Sequence, residues 1–175
     1  AVQSGKALYA GLSNYNGETL EKAAAILNEL HVPFVINQNR YSIFDRTIEQ
    51  NGLKKTAVRL NKGIIAFSPL AQGLLTNRYL NGIPEDSRMA KGAFLKKEAL
   101  TDETLQKIKA LNEVAASRGQ TLAEMSLAWL LKDDLVTSVI IGASSVAQLA
   151  DNLKATENTD FSAEELEKIK KIIQK

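Results

Sequence analysis

The stretch GIIAFSPLAQGLLT runs from Gly63 to Thr76 and joins an apolar run to a turn of small residues. The apolar run predicts a buried strand from Ile64 to Ser68. Pro69 cannot donate to a sheet ladder, and it favours extended geometry at Ser68, so the chain must leave the sheet there. The small residues that follow allow either tight packing or the close approach of backbone N–H groups to a ligand. This stretch alone fits both interpretations.

The same alternation of strand and helix extends along the whole chain. Apolar runs predict four strands, at Ala7 to Ser13, Phe34 to Gln38, Ile64 to Ser68 and Val136 to Gly142. Helical spacing of apolar residues predicts helices around Leu20 to Leu30, Ile48 to Leu60, Asp102 to Ser117, Leu122 to Lys132, Leu149 to Leu153 and after Ser162. Because nearly continuous apolar strands alternate with helices, we predict an α/β fold with a parallel sheet covered by helices.

Composition limits the classes of function. The 175 residues are 45% hydrophobic, which suits a single domain. The net charge is +2 without basic runs, so we expect neither nucleic acid nor membrane partners. There is no cysteine, no apolar stretch long enough to span a membrane and no signal-peptide pattern at the start. We therefore expect a soluble, cytoplasmic protein.

Polar residues follow each predicted strand. They are Ser13 and Asn14, Gln38, the turn from Ser68 to Gly73, and the segment from Gly142 to Ser145. The carboxyl ends of parallel strands meet at one edge of a sheet, where α/β folds bind ligands. Any one of these residues could simply end a strand, but four such positions together favour a binding site.

The chemistry of this edge favours binding over catalysis. The chain has no nucleophile elbow, P-loop, Rossmann fingerprint or metal-ligand spacing, and its single histidine, His31, falls at the opposite end of a strand. Phe67 could stack on a ring, while the turn after Ser68 could wrap a phosphate. Arg78 and Arg88 in the irregular segment 77–100 could neutralise that phosphate. These features predict a bound dinucleotide, although an unrelated ligand stays possible.

Four motifs carry a resemblance to a known family. GLSNY at Gly11, NQNRYSIF at Asn37, FSPLAQGLLTNRYLNGIPEDSR at Phe67 and VIIGASSVAQLADNL at Val139 resemble the second half of an aldo-keto reductase. The most similar branch reduces glyceraldehyde 3-phosphate and related aldehydes, and its relatives include potassium-channel beta subunits. The resemblance implies that residues 1–175 form a single C-terminal half of a (β/α)8 barrel, with strands five to eight and their helices. It also implies that NADPH binds in an extended pose under a loop at 77–100.

The resemblance also implies which residues bind each part of NADPH. The nicotinamide carboxamide would be held by Ser13, Asn14 and Gln38, and its ring would stack on Phe67. The pyrophosphate would be bound by Ser68, Leu70, Gly73 and Arg78. The 2′-phosphate would meet Arg88 and Ser144, and the adenine would be surrounded by Gln148, Asp151 and Asn152. Some relatives carry a basic residue where Gln148 stands, but Arg88 still favours the phosphorylated cofactor.

The catalytic residues implied by the resemblance are an Asp, a Tyr, a Lys and a His on the first half-barrel, before Ala1. None of Tyr9, Tyr15, Tyr41 and Tyr79 matches that tyrosine. We therefore expect an NADP-dependent reductase of aldehydes or ketones as the complete protein, and an inactive chain on its own. Its partner would be the missing half-barrel or a second copy. The alternative is a non-catalytic module that senses nicotinamide nucleotides or mediates an interaction.

Overall fold

A computed structural model describes residues 1–80, 82–85, 90 and 97–174. In this part of the chain, four parallel strands form one sheet in the order of the sequence. They are β1 (Ala10–Ser13), β2 (Phe34–Arg40), β3 (Gly63–Phe67) and β4 (Val136–Val139). The predicted parallel sheet is confirmed. The first strand begins later than predicted, at Ala10, and the last ends earlier, at Val139.

The helices alternate with these strands as the sequence predicts. They are α1 (Gly17–Glu29), α2 (Thr47–Gln50), α3 (Leu53–Arg59), α4 (Asp102–Ser117), α5 (Leu122–Leu131), α6 (Val146–Leu153) and α7 (Ala163–Gln174). Short 3₁₀ turns lie at Ala71–Gly73, Asn77–Tyr79, Lys97–Ala99 and Lys154–Glu157. The weak helical pattern after β2 is divided into α2 and α3 because Gly52, with φ of +79°, turns the chain between them. Within the described ranges, no helix has the length and apolar character needed to cross a membrane.

Helices cover one face of the sheet. Side chains alternate between the two faces of a strand, and Ile64 and Ala66 are fully buried on the face that the helices cover. The other face carries Gly11, Ser13 and Thr137, which are exposed. The hydrophobic core therefore lies between the sheet and its helices, while the opposite face is open in the part of the chain that the structure describes.

Apolar side chains are also exposed on the helices that follow the two edge strands in the sequence. Ile26 on α1 and Leu30 just after it are each more than half exposed. On α6, at the β4 end, Val146, Leu149 and Leu153 form a stripe at helical spacing, with Val146 85% exposed. Both α1 and α6 thus leave apolar surface exposed in the described structure.

Candidate functional site

The turn after β3 is built from left-handed backbone. Ser68 has φ of +54°, Ala71 +47°, Gln72 +60° and Gly73 +103°. Such values are uncommon for residues other than glycine and mark local strain. Hydrogen bonds from Ala71 N–H to Ser68 O (2.9 Å) and from Gly73 N–H to Leu70 O (2.8 Å) close the turn. The chain therefore coils tightly at the carboxyl end of β3.

This geometry corrects one detail of the sequence analysis. We predicted extended geometry at Ser68 because a proline follows it, with the strand continuing through that residue. The strand instead ends at Phe67, and Ser68 is left-handed. The preference for extended backbone before proline is a local one, and here the closure of the turn overrides it.

A groove of about 940 Å³ lies between this turn and the start of α6. Its lining contains eight of the residues predicted to bind the cofactor: Ser68, Leu70, Gly73, Arg78, Ser144, Gln148, Asp151 and Asn152. These residues come from two segments that are far apart in the sequence. The fold thus brings together the residues assigned to the pyrophosphate and the adenine, with one assigned to the 2′-phosphate.

The residues predicted to hold the nicotinamide form a second group, at the strand ends. Ser13 lies next to Gln38 in the register of β1 and β2, and Asn14 N–H donates to Gln38 O at 2.9 Å. Phe67 is half-buried at the end of β3, next to Arg40 of β2. These four predicted residues share the carboxyl edge of the sheet with the groove but do not line it. Arg88 lies outside the described residues.

Two buried polar atoms in the groove lack a hydrogen-bond partner among the described residues. Asn152 is only 6% exposed, and its Nδ2 atom has no acceptor. Gln72 Oε1 likewise has no donor, and both residues line the groove. Buried polar atoms are nearly always hydrogen-bonded in folded proteins, and an unmade bond costs about 1–3 kcal/mol. Asn37 Oδ1 and Asp133 Oδ1, outside the groove, also lack partners, so the two groove atoms indicate a ligand only together with the predicted cofactor residues around them.

The start of α6 shows how the groove is organised locally. Ser145 caps the helix by accepting from Gln148 N–H at 3.2 Å. The Gln148 side chain turns back, and its Oε1 accepts from Ser144 N–H at 2.7 Å. The N-cap of α6 is thus Ser145, and Ser144 is held against Gln148 in the lining of the groove.

The larger pKa shifts lie around Trp129, away from the groove. Burial and a hydrogen bond to Glu49 raise the pKa of Tyr41, whose ring centroid is 5.5 Å from that of Trp129. Burial lowers the pKa of Lys132 to about 8, with its Nζ 3.8 Å from the Trp129 ring centroid. Trp129 itself is buried in the core. No group of His, Asp and Glu side chains in the described ranges could hold a metal ion.

Sequence reasoning missed Gln72 and Arg40. Gln72 looked like one more small-turn residue, and only the three-dimensional structure shows that its Oε1 is buried without a donor among the described atoms. Arg40 lay inside a quoted motif, but its place beside Phe67 depends on strand register. The position of Arg40 two residues after Gln38 could have indicated its place, because residues two apart on a strand share a face.

Comparison with known proteins gives relatives over nearly the whole chain. L-glyceraldehyde 3-phosphate reductase from Escherichia coli (strain K12) is 49% identical over 173 residues, which cover 97% of this chain and 50% of that protein. A probable voltage-gated potassium channel subunit beta from Oryza sativa subsp. japonica is 32% identical over 178 residues, or 99% of this chain and 54% of that protein. The chain thus spans about half the length of the curated relatives that it matches.

The structural comparison agrees with the sequence comparison. The crystal structure of a thermostable aldo-keto reductase in complex with the inhibitor epalrestat matches 98% of this chain and 50% of its own, with a TM-score of 0.70 and 27% identity. The model of the aldo/keto reductase family matches residues 1–174. Taken with the parallel sheet and the groove at its carboxyl edge, these matches show that the chain belongs to the aldo/keto reductase family.

Proposed function

We propose that this chain is the cofactor-binding, C-terminal half of a cytoplasmic NADPH-dependent reductase. The complete protein reduces aldehydes such as glyceraldehyde 3-phosphate or methylglyoxal to alcohols. The observation that carries the proposal is the groove, because it combines eight predicted cofactor residues with the buried, unpartnered Nδ2 of Asn152. The 49% identity to a glyceraldehyde 3-phosphate reductase supports the substrate class.

The residues of the groove fit a dinucleotide. Asn152 can donate from Nδ2 to a ring nitrogen of the adenine, and Asp151 borders the same region. The turn from Ser68 to Gly73, with Arg78, suits the pyrophosphate, and Ser144 suits the 2′-phosphate together with Arg88. Ser13, Asn14 and Gln38 would hold the nicotinamide carboxamide, and Phe67 would pack on the ring. When bound, NADPH supplies a hydride to the carbonyl carbon.

The two buried tyrosines of this chain, Tyr41 and Tyr79, do not suit the role of proton donor. Tyr41 is fully buried, and its raised pKa makes the phenol a poorer acid than free tyrosine. Tyr79 is also buried, beneath the turn that contains Gly73. We propose that the Asp, Tyr, Lys and His of the catalytic site belong to the other half of the barrel. The chain on its own is then inactive.

Exposed apolar surface beside the sheet edges supports the half-barrel interpretation. The strands β1 and β4 are the edge strands of the sheet, and closing a barrel pairs each with a further strand. The stripe of Val146, Leu149 and Leu153 on α6 would pack against the helices of the other half. The inner face of the sheet, with Gly11 and Thr137, would line the closed interior.

A nicotinamide-nucleotide-sensing or interaction module is the second candidate. It is favoured by the 32% identity to a potassium channel beta subunit, which extends over 99% of the chain. Both candidates require the groove to bind the nucleotide, and they differ in turnover. Steady-state reduction of methylglyoxal by the complete polypeptide separates them, since a sensing module would bind NADPH with little turnover.

Fluorescence titration of this chain with NADPH tests the binding site. We expect saturable binding, weaker binding of NADH, and no reduction of methylglyoxal or glyceraldehyde 3-phosphate. Arg78→Leu should weaken NADPH binding about tenfold, because it removes a charge-assisted contact to phosphate. Arg59→Leu is the matched control, since Arg59 is exposed on α3 and pairs with Glu21 outside the groove. Absence of NADPH binding would refute the proposal, and turnover by the chain alone would refute the assignment of the proton donor.

Sedimentation of the isolated chain tests the half-barrel. We expect dimers or aggregates, because the open strand edges and the exposed stripe on α6 have no cover within the described chain. Adding the separately expressed other half should convert them into a closed complex. A monodisperse monomer that melts cooperatively would contradict this interpretation.

A further inference from the structure

Arg40 occupies a position next to the proposed nicotinamide site. It is the last residue of β2 and lies beside Phe67 in the register with β3. Because side chains alternate along a strand, Arg40 projects from the same face as Gln38. In the proposed reductase the aldehyde reacts beside Gln38 and Phe67, and Arg40 is the next residue of β2 on the face that carries Gln38.

A second groove, of about 910 Å³, opens at Arg40. Gln72 lines both this groove and the first one, so the two adjoin at the turn after β3. The second groove is bordered by the loop after β2 and by the end of α7, which contributes Lys170. A ligand could thus extend from the strand ends into a space that is separate from the proposed nucleotide groove.

The positively charged side chains that line the second groove differ in how closely they pair with carboxylates. Arg46 is held by Glu49, with a 2.6 Å contact, and its guanidinium lies 5.2 Å from the Trp129 ring centroid. Arg40 instead makes a 3.4 Å contact to Asp45 through Nε, and its side chain is 52% exposed. Lys170 is equally exposed, and its contact to Glu167 is 3.9 Å. Arg40 and Lys170 therefore keep donors that can turn to an anion.

We propose that Arg40 and Lys170 bind the phosphate of a phosphorylated aldehyde and so select a triose phosphate over uncharged aldehydes. The inference rests on the proposed reductase function and adds residues that determine its substrate. The fork of a guanidinium matches two phosphate oxygens, and the lysine ammonium adds a point charge. The preference for the phosphorylated aldehyde is electrostatic, because an uncharged aldehyde such as methylglyoxal has no phosphate for either group to bind.

Steady-state kinetics of the complete polypeptide test the role of Arg40. The measured quantity is the ratio of kcat/KM for glyceraldehyde 3-phosphate to kcat/KM for methylglyoxal. Arg40→Leu should lower this ratio about ten- to hundredfold, mainly through KM, because a charge-assisted hydrogen bond to substrate is lost. Arg40→Lys should recover part of it. Arg59→Leu should leave the ratio unchanged, since Arg59 is 53% exposed and ion-paired like Arg40 but lies on α3.

The neighbouring lysines on α7 provide a second matched pair. Lys170 and Lys171 both approach Glu167, at 3.9 Å and 3.8 Å, and both are more than half exposed. Only Lys170 belongs to the lining of the second groove in the described structure. Lys170→Met should lower the substrate ratio several-fold, whereas Lys171→Met should not. Equal effects of the two variants would overturn the assignment of Lys170.

The outcomes separate this inference from the proposed function. If the wild type reduces both aldehydes and Arg40→Leu lowers both rates equally, the selection of phosphate by Arg40 is refuted while the reductase proposal stands. If the wild type reduces neither, the reductase proposal fails. In that case, calorimetric titration of the polypeptide with glycerol 3-phosphate tests whether Arg40 binds phosphate. Binding that Arg40→Leu weakens at least tenfold supports the phosphate site, and binding that is absent or unaffected refutes it.

Discussion

Two regions of the molecule bury polar side chains but differ in whether those side chains are hydrogen-bonded. At the corner where α4, α5 and α7 meet, Arg118 has a side chain only 3% exposed. It donates to Gln120 Oε1 and Asp160 O, both at 2.9 Å, and pairs with Glu165 at 2.8 Å. In the groove, Asn152 is also nearly buried, yet its Nδ2 atom has no partner in the described structure.

The difference indicates what each region does. A buried polar group with a full set of bonds fixes the packing of the elements that it joins. A buried polar group without a partner destabilises the folded chain and gains its bond only from something outside the protein. The Arg118 corner is therefore a structural joint, whereas we propose that the groove around Asn152 binds a ligand.

The largest effect expected from this comparison is at the joint. Arg118→Leu should lower the free energy of unfolding by about 3 kcal/mol, because it leaves Glu165 without its cationic partner and Asp160 O without its donor. It also removes the guanidinium that lies 3.7 Å from the Phe161 ring centroid. Urea denaturation measures the loss. The affinity for NADPH under conditions where the variant is folded should not change.

The control for this variant is Arg59→Leu, which breaks an exposed pair with Glu21 and should cost less than about 1 kcal/mol. If both variants lost a similar free energy of unfolding, the buried bonds of Arg118 would stabilise the fold no more than an exposed ion pair. The interpretation of this corner as a structural joint would then be wrong.

A smaller effect at the same joint depends on pH. Burial acts to raise the pKa of Glu165, but hydrogen bonds from the Ser162 N–H and from Arg118 outweigh burial and lower this pKa. A carboxyl with a lowered folded-state pKa stabilises the protein fully above its unfolded value, here 4.5, and loses that contribution as the pH falls through the folded value. Glu165→Gln should therefore be less stable than the wild type at pH 7, with a gap that narrows below pH 4.5. A gap that stays constant with pH in urea titrations would refute the ion pair.

Local chemistry explains the parts of the fold that the sequence predicts well. Thr121 and Glu124 form a capping box at the start of α5, and Ser162 and Glu165 form one before α7. Such caps act within four residues, so their pattern is visible in a short window. The apolar strands are likewise read from continuous runs, and the resemblance of four motifs supplied the candidate site residues.

Features that depend on distant contacts could not be read in this way. The left-handed Ser68 follows from the closure of a turn, against the preference that Pro69 imposes. The open face of the sheet and the apolar stripe on α6 depend on which helices are present to cover them. The missing donor at Gln72 Oε1 depends on every atom around it. The sequence shows which residue types are available for a site. It does not show which of their hydrogen bonds remain unformed in the folded chain.

The smallest change in stability, and the sharpest test of the comparison, is expected at Asn152. Asn152→Leu removes a buried amide whose Nδ2 has no partner in the described chain, so the free energy of unfolding should stay constant or rise by about 1 kcal/mol. Its affinity for NADPH should fall about tenfold in the fluorescence titration, because the proposed bond to adenine is lost. Stability and binding then change in opposite directions.

Asn39 provides the matched control, because it is also 6% exposed but both polar atoms of its side chain have a partner. Its Nδ2 donates to Tyr15 O at 3.2 Å, and its Oδ1 accepts from Asn37. Asn39→Leu should therefore cost about 2 kcal/mol by leaving those groups without partners. If the two asparagine variants lose the same stability, Asn152 is a structural residue like Asn39, and its open bond does not mark a ligand site. If only Asn39→Leu is destabilised, the unmade bond of Asn152 is what distinguishes it from a structural asparagine.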